Sequence, residues 1–255
     1  MRQRITFITG ATSGIGRACA IMFAKQGNDL IVTGRRADRL EALKLEIETT
    51  SRVKVVPLVC DIRNWNDLQA SFQLLDEDWK QIEILINNAG LALNLNPIDE
   101  GVPEEWDQMI DTNIKGLLYT TRLIAPIMKD CRKGHIINIG SIAGREVYPN
   151  GNVYCATKHA VNALTQSMRI DLLPYGIKVT QISPGAVQTE FSQVRFKGDE
   201  IRAGKVYQGY KPLTPEDVAS VVLFATNLPD HANINDLLLM PTAQATSSVF
   251  HKNII

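Results

Sequence analysis

Short apolar runs rich in Ile and Val alternate along this chain with stretches in which apolar residues recur at helical spacing. The apolar runs predict seven strands, over residues 5–9, 29–33, 53–59, 82–86, 135–139, 178–183 and 236–240. The helical spacing predicts helices over residues 16–26, 36–49, 64–75, 104–129, 154–173 and 215–226. Nearly continuous β-branched strands that alternate with helices are typical of a parallel sheet with both faces covered. We therefore expect an α/β fold, a doubly wound parallel sheet of about seven strands with helices on both faces.

Composition places the chain among globular proteins. Its 255 residues are 45% hydrophobic and 21% charged, which allows a sizeable core, excludes disorder and fits a single domain over residues 1–255. The 27 basic and 27 acidic side chains leave no net charge, which argues against a nucleic-acid partner. No apolar run approaches the roughly 18 residues that a membrane helix needs, so no membrane partner is expected.

The cysteines and histidines show no metal-binding or disulfide pattern. Cys19, Cys60, Cys131 and Cys155 are far apart in the sequence and form no C-x-x-C pair. We therefore expect neither a disulfide framework nor a metal site, and a reducing cytoplasm is the default location.

A glycine-rich segment, residues 9–17, joins the first predicted strand to the first predicted helix. Gly10, Gly14 and Gly16 would let the backbone approach a pyrophosphate, while the helix N-terminus supplies donors and a positive dipole. The spacing is G-x-x-x-G-x-G rather than G-x-G-x-x-G, so an ordinary glycine-bearing turn is the alternative. We predict a dinucleotide site at this turn.

The end of the second predicted strand indicates which dinucleotide is bound. An NAD enzyme carries an acidic residue there, about 20 positions after the glycines. This chain has Gly34-Arg35-Arg36 and no carboxylate. A guanidinium would pair with the 2′-phosphate of NADP through charge-assisted hydrogen bonds, whereas the alternative is that both arginines begin a solvated helix. Arg35 and Arg36, together with the missing acid, favour NADP.

Five motifs in chain order carry a resemblance to a known family. They are residues 9–16, Asn87-Asn88-Ala89-Gly90, Asn113, Ser141 and Tyr154-Cys155-Ala156-Thr157-Lys158. Together they resemble the short-chain dehydrogenase/reductase family over essentially the whole chain. The resemblance implies a Rossmann-type fold and an NADP-dependent oxidoreductase that acts on CH–OH donors.

The cofactor contacts expected from these motifs and the resemblance extend along much of the chain. The resemblance implies that Asp61 lies near the adenine, and that Pro184, Gly185 and Thr189 lie against the nicotinamide. The full expected set is Gly10, Thr12, Ser13, Gly14, Ile15, Gly16, Arg35, Arg36, Asp61, Ile62, Asn88, Ala89, Gly90, Tyr154, Lys158, Pro184, Gly185, Val187 and Thr189.

Four residues are the predicted catalytic set. Tyr154 and Lys158 are four apart on a predicted helix and share a face. When a hydride moves between a nicotinamide and a carbonyl, a proton must also be delivered to the substrate oxygen or taken from it. A tyrosine with an ordinary pKa of about 10 is a poor base for this step until a nearby ammonium lowers its pKa. Ser141 can hydrogen-bond the reacting oxygen, and the resemblance implies that Asn113 holds a water that relays protons. Each residue alone would be an ordinary structural residue; the combination indicates catalysis.

The stretch 186–212 shows neither the apolar runs of a strand nor the apolar spacing of a helix. It is long enough to be a functional loop, which we predict to be a substrate lid. From residue 191 onward it carries five cations, Arg195, Lys197, Arg202, Lys205 and Lys211, against Asp199 and Glu200. A guanidinium from Arg195 or Arg145 would grip a substrate carboxylate. The alternative is a surface loop with solubilising charges.

Residues 109–116, 135–141, 151–158, 194–199 and 233–241 resemble one subgroup, the NADP-dependent 3-hydroxy acid dehydrogenases. This implies oxidation of serine, allo-threonine, 3-hydroxyisobutyrate and related acids, or reduction of malonic semialdehyde, with Ser141 and Tyr154 at the substrate hydroxyl. A reductase of a 3-ketoacyl thioester or a sugar is the alternative within the enzyme class. A non-catalytic NADP-binding sensor or scaffold is the alternative outside it.

The family resemblance also implies assembly. It indicates a homo-dimer or homo-tetramer that pairs through the predicted helices 104–129 and 154–173. The apolar tail from Asp236 to Met240 and the final Ile254-Ile255 would fit a buried or subunit-facing terminus, whereas a frayed end is the alternative for the last residues.

Overall fold

The Ile- and Val-rich runs form strands because layers of helices cover both faces of the sheet, so that apolar side chains are favoured on both. Every residue of β1 (Ile5–Thr9) and of β5 (Gly134–Ile139) is buried. The other strands are β2 (Asp29–Gly34), β3 (Val55–Val59), β4 (Ile82–Asn87), β6 (Ile177–Pro184) and β7 (Asp236–Leu239). The computed structural model describes residues 3–252, and the expectation for Ile254 and Ile255 therefore lies outside the described residues.

The strands form one parallel sheet in the order β3-β2-β1-β4-β5-β6-β7. The chain first builds outward from β1 to β3, then returns to place β4 beside β1, and builds outward on the other side. The connections that follow β1 and β4 therefore leave in opposite directions, which opens a crevice at the carboxyl ends of these two strands. The predicted doubly wound parallel sheet is confirmed.

Helices cover both faces of this sheet. They are α1 (Gly14–Lys25), α2 (Ala37–Thr50), α3 (Trp65–Gln73), α4 (Pro103–Ile110), α5 (Gly116–Cys131), α6 (Asn152–Leu172), α7 (Phe191–Arg195), α8 (Glu200–Lys205) and α9 (Pro215–Thr226). Residues of α1, α2 and α9 bury one apolar core against the sheet, and residues of α3, α5 and α6 bury a second core on the other face. Across residues 3–252, no helix is both long and apolar enough to cross a bilayer.

The helix predicted over residues 104–129 is not continuous. A π-helical segment, Asp111–Lys115, separates α4 from α5, and the amide of Gly116 donates to the carbonyl of Asp111 five residues earlier. A single inserted residue leaves the apolar spacing on either side intact, which is why periodicity alone predicted one helix. Such π segments are frequent at functional sites, and this one contains Asn113.

The prediction that residues 186–212 are irregular was also wrong. This stretch, called the lid segment below, contains α7 and α8, which have five and six residues. Helices this short do not reach two full turns, so they leave no apolar period in the sequence. The lid segment changes direction at Lys197 and Gly198, which have left-handed φ values of 52° and 88°.

His135 is a buried titratable group in the middle of the sheet. It is 4% exposed on β5, and its Nε2 lies 2.8 Å from the Thr180 hydroxyl of β6. Its Nδ1 is buried and has no hydrogen-bond partner among the described residues. Burial, assisted by the nearby charges of Lys178 and Arg4, lowers the pKa of His135 to about 3.

We expect His135 to make the folded protein sensitive to acid. Its folded pKa of about 3 lies below its ordinary value of 6.5, so its contribution to stability is intact above pH 6.5 and is lost as the pH falls from 6.5 toward 3. In that window the unfolded chain binds a proton that the folded chain does not, which lowers the free energy of unfolding by up to about 1.4 kcal/mol per pH unit.

Urea denaturation of the wild type and His135→Gln at about pH 7 and about pH 5 measures this slope. The glutamine keeps an amide near Thr180 but does not titrate. Between about pH 7 and about pH 5, the free energy of unfolding should fall by about 2 kcal/mol more in the wild type than in the variant. Equal losses would mean that His135 is not responsible.

Candidate active site

A cavity of about 370 Å³ opens in the crevice at the carboxyl ends of the strands. Its volume is within the range of about 300–1,000 Å³ that is usual for ligand pockets. Most of the residues predicted from the sequence as site residues line it. They are Gly10, Thr12, Ser13, Gly14, Ile15, Arg35, Arg36, Asp61, Ile62, Asn88, Ala89, Gly90, Ser141, Tyr154, Lys158, Pro184, Gly185, Val187 and Thr189.

Four predicted residues do not occur among the described residues that line the cavity: Gly16, Asn113, Arg145 and Arg195. Gly16 lies directly beneath the wall. A Cβ there would come within 2.4 Å of both Asn88 Nδ2 and the carbonyl oxygen of Gly10. Gly16 therefore allows the close packing that shapes the turn.

The glycine turn forms a cradle for an anion. Gly10 has a φ of 66°, a conformation that favours glycine, and Asn88 Nδ2 holds the turn by donating to the carbonyls of Thr9 and Gly10 at 2.9 and 3.2 Å. Ser13, the N-cap of α1, makes no side-chain capping bond, and the first turn of α1 has no acidic residue. Exposed backbone donors and the helix dipole at this end fit a pyrophosphate.

Arg36 lies at the β2 side of the cavity and is held by the glycine turn. Its Nη2 donates to the hydroxyls of Thr12 and Ser13 at 2.7 and 3.2 Å. Its Nη1 lies 3.1 Å from Glu190, which also pairs with Arg39 at 2.6 Å. Partial burial raises the pKa of Glu190, but the hydrogen bonds from Arg39 and Arg36 outweigh that effect and lower it overall. A cluster of guanidinium groups beside a glycine cradle fits a dinucleotide that carries a 2′-phosphate.

Asp61 and Ile62 line the cavity beyond the end of β3. The guanidinium of Arg63 binds both oxygens of Asp61, with Nε 3.0 and 2.9 Å from them and Nη2 2.6 Å from Oδ2. Burial raises the pKa of Asp61, but these hydrogen bonds outweigh it and lower the pKa overall. Asp61 is therefore an oriented, ionised acceptor at this edge of the cavity.

Ser141, Tyr154 and Lys158 meet at the opposite end of the cavity. Ser141 follows β5, where its hydroxyl accepts from the amide of Ala143 at 3.1 Å. Tyr154 and Lys158 lie one turn apart on α6. Lys158 is 6% exposed, and its Nζ donates to the carbonyl of Ile139 at 2.9 Å.

The pKa values of these groups respond to their burial and neighbours. Burial lowers the pKa of Lys158 to about 8, because removing water disfavours the ammonium. Burial raises the pKa of Tyr154, while the positive charge of Arg195 and the hydrogen bond from Ser141 act in the opposite direction. The cation that lowers the pKa of Tyr154 most is thus Arg195, rather than the lysine that the spacing indicated.

Asn113 lies behind this group and fastens two segments together. Its Nδ2 donates to the carbonyl of Leu91 and to the hydroxyl of Thr157 at 2.8 and 3.0 Å, and its Oδ1 accepts from the amide of Leu91 at 2.8 Å. A Cβ at Gly90 would lie 3.2 Å from Asn113 Oδ1 and 3.6 Å from Lys158 Nζ. The glycine therefore keeps open a space between the asparagine and the lysine.

The two arginines proposed for a substrate carboxylate lie in different surroundings. The guanidinium of Arg195, at the end of α7, lies 5.0 Å from the ring of Tyr154 and donates to the hydroxyl of Tyr148 at 2.9 Å. Its Nε is buried and has no hydrogen-bond partner among the described residues. Arg145 instead pairs with Asp236 at 2.6 Å. This ion pair outside the cavity wall engages the charge of Arg145, which argues against the expectation that it binds substrate.

Several cavity residues escaped the sequence analysis. They are Gly34, Cys60, Arg63, Leu91, Thr112, Ile139, Gly140, Glu190, Phe191 and Val194. Phe191 had no motif to mark it, yet its ring lies 5.6 Å from that of Tyr154. Glu190 follows the predicted Thr189 directly, but an acid beside a predicted phosphate site gave no signal until its arginine partners were known.

The cavity wall is also supported from the C-terminal part of the chain. The side chain of Gln244 is buried and accepts from the amide of Ala186 at 2.8 Å, and a Cβ at Gly185 would come within 2.5 Å of it. Within residues 3–252, no three His, Cys, Asp or Glu side chains cluster in a way that would hold a metal ion.

A doubly wound sheet with a glycine cradle, neighbouring arginines and a tyrosine one helical turn from a buried lysine defines the class of dinucleotide-dependent oxidoreductases. The chain belongs to the short chain dehydrogenase family, whose sequence model matches residues 4–200.

Individual relatives extend this assignment. The chain is 46% identical over 242 residues to the NADP-dependent 3-hydroxy acid dehydrogenase YdfG of Escherichia coli K12, covering 94% of this chain and 96% of that protein. It is 42% identical to sulfoacetaldehyde reductase 2 of Chromohalobacter salexigens, covering 96% of each. The closed form of serine dehydrogenase complexed with NADP⁺ superposes with a TM-score of 0.91 at 44% identity, covering 97% of this chain and 98% of that one. These relatives confirm the predicted enzyme class and the predicted NADP cofactor.

Proposed function

We propose that this chain interconverts small 3-hydroxy acids and their 3-oxo counterparts with NADP. The proposed substrates are serine, allo-threonine and 3-hydroxyisobutyrate, or malonic semialdehyde in the reverse direction. The observation that carries the proposal is the guanidinium of Arg195, 5.0 Å from the ring of Tyr154. A cation at this distance from the proton-transfer residue suits a substrate whose acid group is two bonds from the reacting carbon.

The cofactor would occupy the cavity along the carboxyl ends of the strands. The glycine turn and the α1 N-terminus would hold the pyrophosphate, Arg35 and Arg36 the 2′-phosphate, and Asp61 the adenine side. Pro184, Gly185 and Thr189 would face the nicotinamide. NADP supplies or accepts the hydride. The fit of the glycine cradle and of the arginine cluster supports this arrangement.

The chain's own residues would handle the proton. Tyr154 would give a proton to the substrate oxygen, or take it away, and Ser141 would hydrogen-bond the same oxygen. Lys158 and Arg195 would provide two positive charges that favour the phenolate form of Tyr154 when the proton leaves. Gly90 leaves a space between Asn113 and Lys158, and Asn113 would hold a water there that exchanges protons with the lysine.

The substrate carboxylate would bind Arg195. The buried Nε of this residue has no partner in the described part of the chain, and a carboxylate would supply the acceptor. Arg145 is not retained in this role, because Asp236 already pairs with it.

A second candidate substrate class keeps the same site. An aldehyde with a sulfonate in place of the carboxylate presents the same negative charge near the reacting carbon. The similarity to sulfoacetaldehyde reductase 2 and the unpartnered Nε of Arg195 favour it over a 3-ketoacyl thioester or a sugar. A non-catalytic sensor or scaffold would have no need for a buried Lys158.

We also propose that the chain forms a homo-dimer or homo-tetramer. Exposed apolar side chains support this on elements that the family resemblance indicated, including Leu118 of α5, Ile170 of α6 and Leu238 of β7, which are 37%, 72% and 38% exposed.

Tyr154→Phe should abolish most turnover and leave cofactor binding intact. Removing the hydroxyl eliminates the proton donor, which typically lowers kcat by about 100- to 10,000-fold. Absorbance of NADPH gives kcat, and fluorescence titration gives the Kd for NADPH. Tyr119→Phe, which is outside the cavity wall and packs its ring against Trp65, is the matched control and should behave as wild type. Turnover that persists in Tyr154→Phe would refute the mechanism.

Arg36→Ala and Arg35→Ala should each weaken the binding of NADP but not of NAD, because only NADP carries the 2′-phosphate. Loss of a charge-assisted hydrogen bond corresponds to a rise of about tenfold or more in the KM for NADP. Arg202→Ala is the control, since this arginine stacks on Phe196 in the lid segment. If both cofactors weaken equally, the arginines support the fold rather than select the cofactor.

Arg195→Met should raise the KM for a hydroxy acid by about tenfold or more, because a hydrogen bond to a charged group is lost. The assay follows NADPH with L-serine, L-allo-threonine, 3-hydroxyisobutyrate, its methyl ester, sulfoacetaldehyde and an acetoacetyl thioester. Arg202→Met is again the control. The ester, which lacks the negative charge, should be a poor substrate for wild type and should change little in the variant. Activity on the thioester alone would refute the proposed substrate class while leaving the enzyme class intact.

A further inference from the structure

A buried carboxylate lies where the lid segment meets the loop that follows β4. Glu105, in the first turn of α4, is only 7% exposed. Carboxylates are almost never buried without partners, and Glu105 has two. Asn94 Nδ2 lies 2.7 and 2.8 Å from its two oxygens, and Lys197 Nζ lies 2.5 Å from Oε1.

Both partners have left-handed backbone conformations, with a φ of 49° at Asn94 and 52° at Lys197. Asparagine tolerates this region, but a lysine adopts it rarely, and glycine would adopt it without strain. The next residue, Gly198, is also left-handed. The backbone conformation at position 197 would favour glycine, yet the residue there is a lysine. Such a residue is expected where its side chain makes a required contact.

The same loop also holds the backbone of Arg195. The amide of Asn94 donates to the carbonyl of Arg195 at 2.9 Å. The lid segment is thus fastened at Arg195 through its carbonyl and, two residues later, through the ammonium of Lys197. The side chain of Arg195 extends from this fastened point to Tyr148 and to the ring of Tyr154.

We propose that Glu105, Asn94 and Lys197 form a latch that holds the lid segment against the β4–α4 loop and thereby positions Arg195 beside Tyr154. Glu105 is a positioning residue in this arrangement, since it acts on the substrate through Arg195. The part of the proposal that concerns substrate binding rests on the proposed function.

Glu105→Gln and Lys197→Met open the latch with little damage to packing. Glutamine has the shape of glutamate, and the Lys197 side chain is 61% exposed, so its truncation leaves no cavity. A released lid segment holds Arg195 in place for a smaller fraction of the time, which raises the KM for 3-hydroxyisobutyrate at least about fivefold. Saturating substrate closes the lid again, so kcat should stay within about twofold of wild type, as should the Kd for NADPH.

Three comparisons separate positioning from a general structural effect. Lys197→Arg keeps the cation and should restore a KM near that of wild type. The double variant Glu105→Gln/Lys197→Met should be no worse than either single variant, because both substitutions break the same Glu105–Lys197 ion pair. Glu77→Gln is the matched control, since Glu77 forms an exposed pair with Lys80 at 2.8 Å. A fall in kcat with unchanged KM, or additive losses in the double variant, would overturn the latch.

Amide hydrogen exchange tests the latch without any substrate. In the free protein, peptides covering residues 191–199 should exchange faster in Glu105→Gln and Lys197→Met than in wild type, while peptides from β5 should not change. Unchanged exchange in the lid segment would refute the latch, even if hydroxy acids are turned over. Faster exchange in a protein whose wild type does not prefer acids to esters would support the latch and refute the proposed substrate class.

Discussion

The arrangement of the cleft depends on the buried ammonium of Lys158. This group donates to the carbonyl of Ile139 at the carboxyl end of β5 and thereby ties α6 to the sheet. Tyr154 lies one turn earlier on the same helix, and Ser141 lies two residues beyond Ile139, so this bond helps to bring the two hydroxyls to the same end of the cavity. Burying an ammonium is unfavourable, and it lowers the pKa of Lys158 to about 8. A buried lysine does not favour stability, so a functional role is the better explanation for Lys158 at this position.

Positive charge is concentrated at both ends of the cavity. Arg36 and Arg39 lie at the β2 end with Glu190 between them, and Arg195 lies at the other end against Tyr154. The glycine turn and the α1 N-terminus lie between these ends. Such a layout suits two anionic ligands bound end to end, a dinucleotide phosphate and an acidic substrate, and each guanidinium is held in place by hydrogen bonds before either ligand arrives.

The lid segment connects these two ends mechanically. Near its beginning, Glu190 pairs with Arg36, the N-cap of α2, and with Arg39 of α2. Further along, Lys197 pairs with Glu105. Between these points, α7 carries Phe191 and Arg195, both of which contact the ring of Tyr154. The positions of the arginines at the β2 end of the cavity and of Arg195 at the Tyr154 end are therefore linked through one short helix.

The sheet, most of its helices and most of the cavity wall could be predicted from the amino-acid sequence, because alternating apolar runs and local motifs act over a few residues. Each of these motifs consists of residues close together in the chain: the glycine turn, the Tyr154–Lys158 pair and the arginines after β2. The π segment at Asn113 and the helices of the lid segment were missed because a one-residue insertion or a single turn leaves no period to detect. The proposal of Arg195 over Arg145 as the substrate-binding residue needed the fold, since Asp236 pairs with Arg145 across 91 positions of sequence while Arg195 lies against the ring of Tyr154. Long-range charge pairing of this kind, including that of Glu105 with Lys197, arises from folding and cannot be read from local pattern.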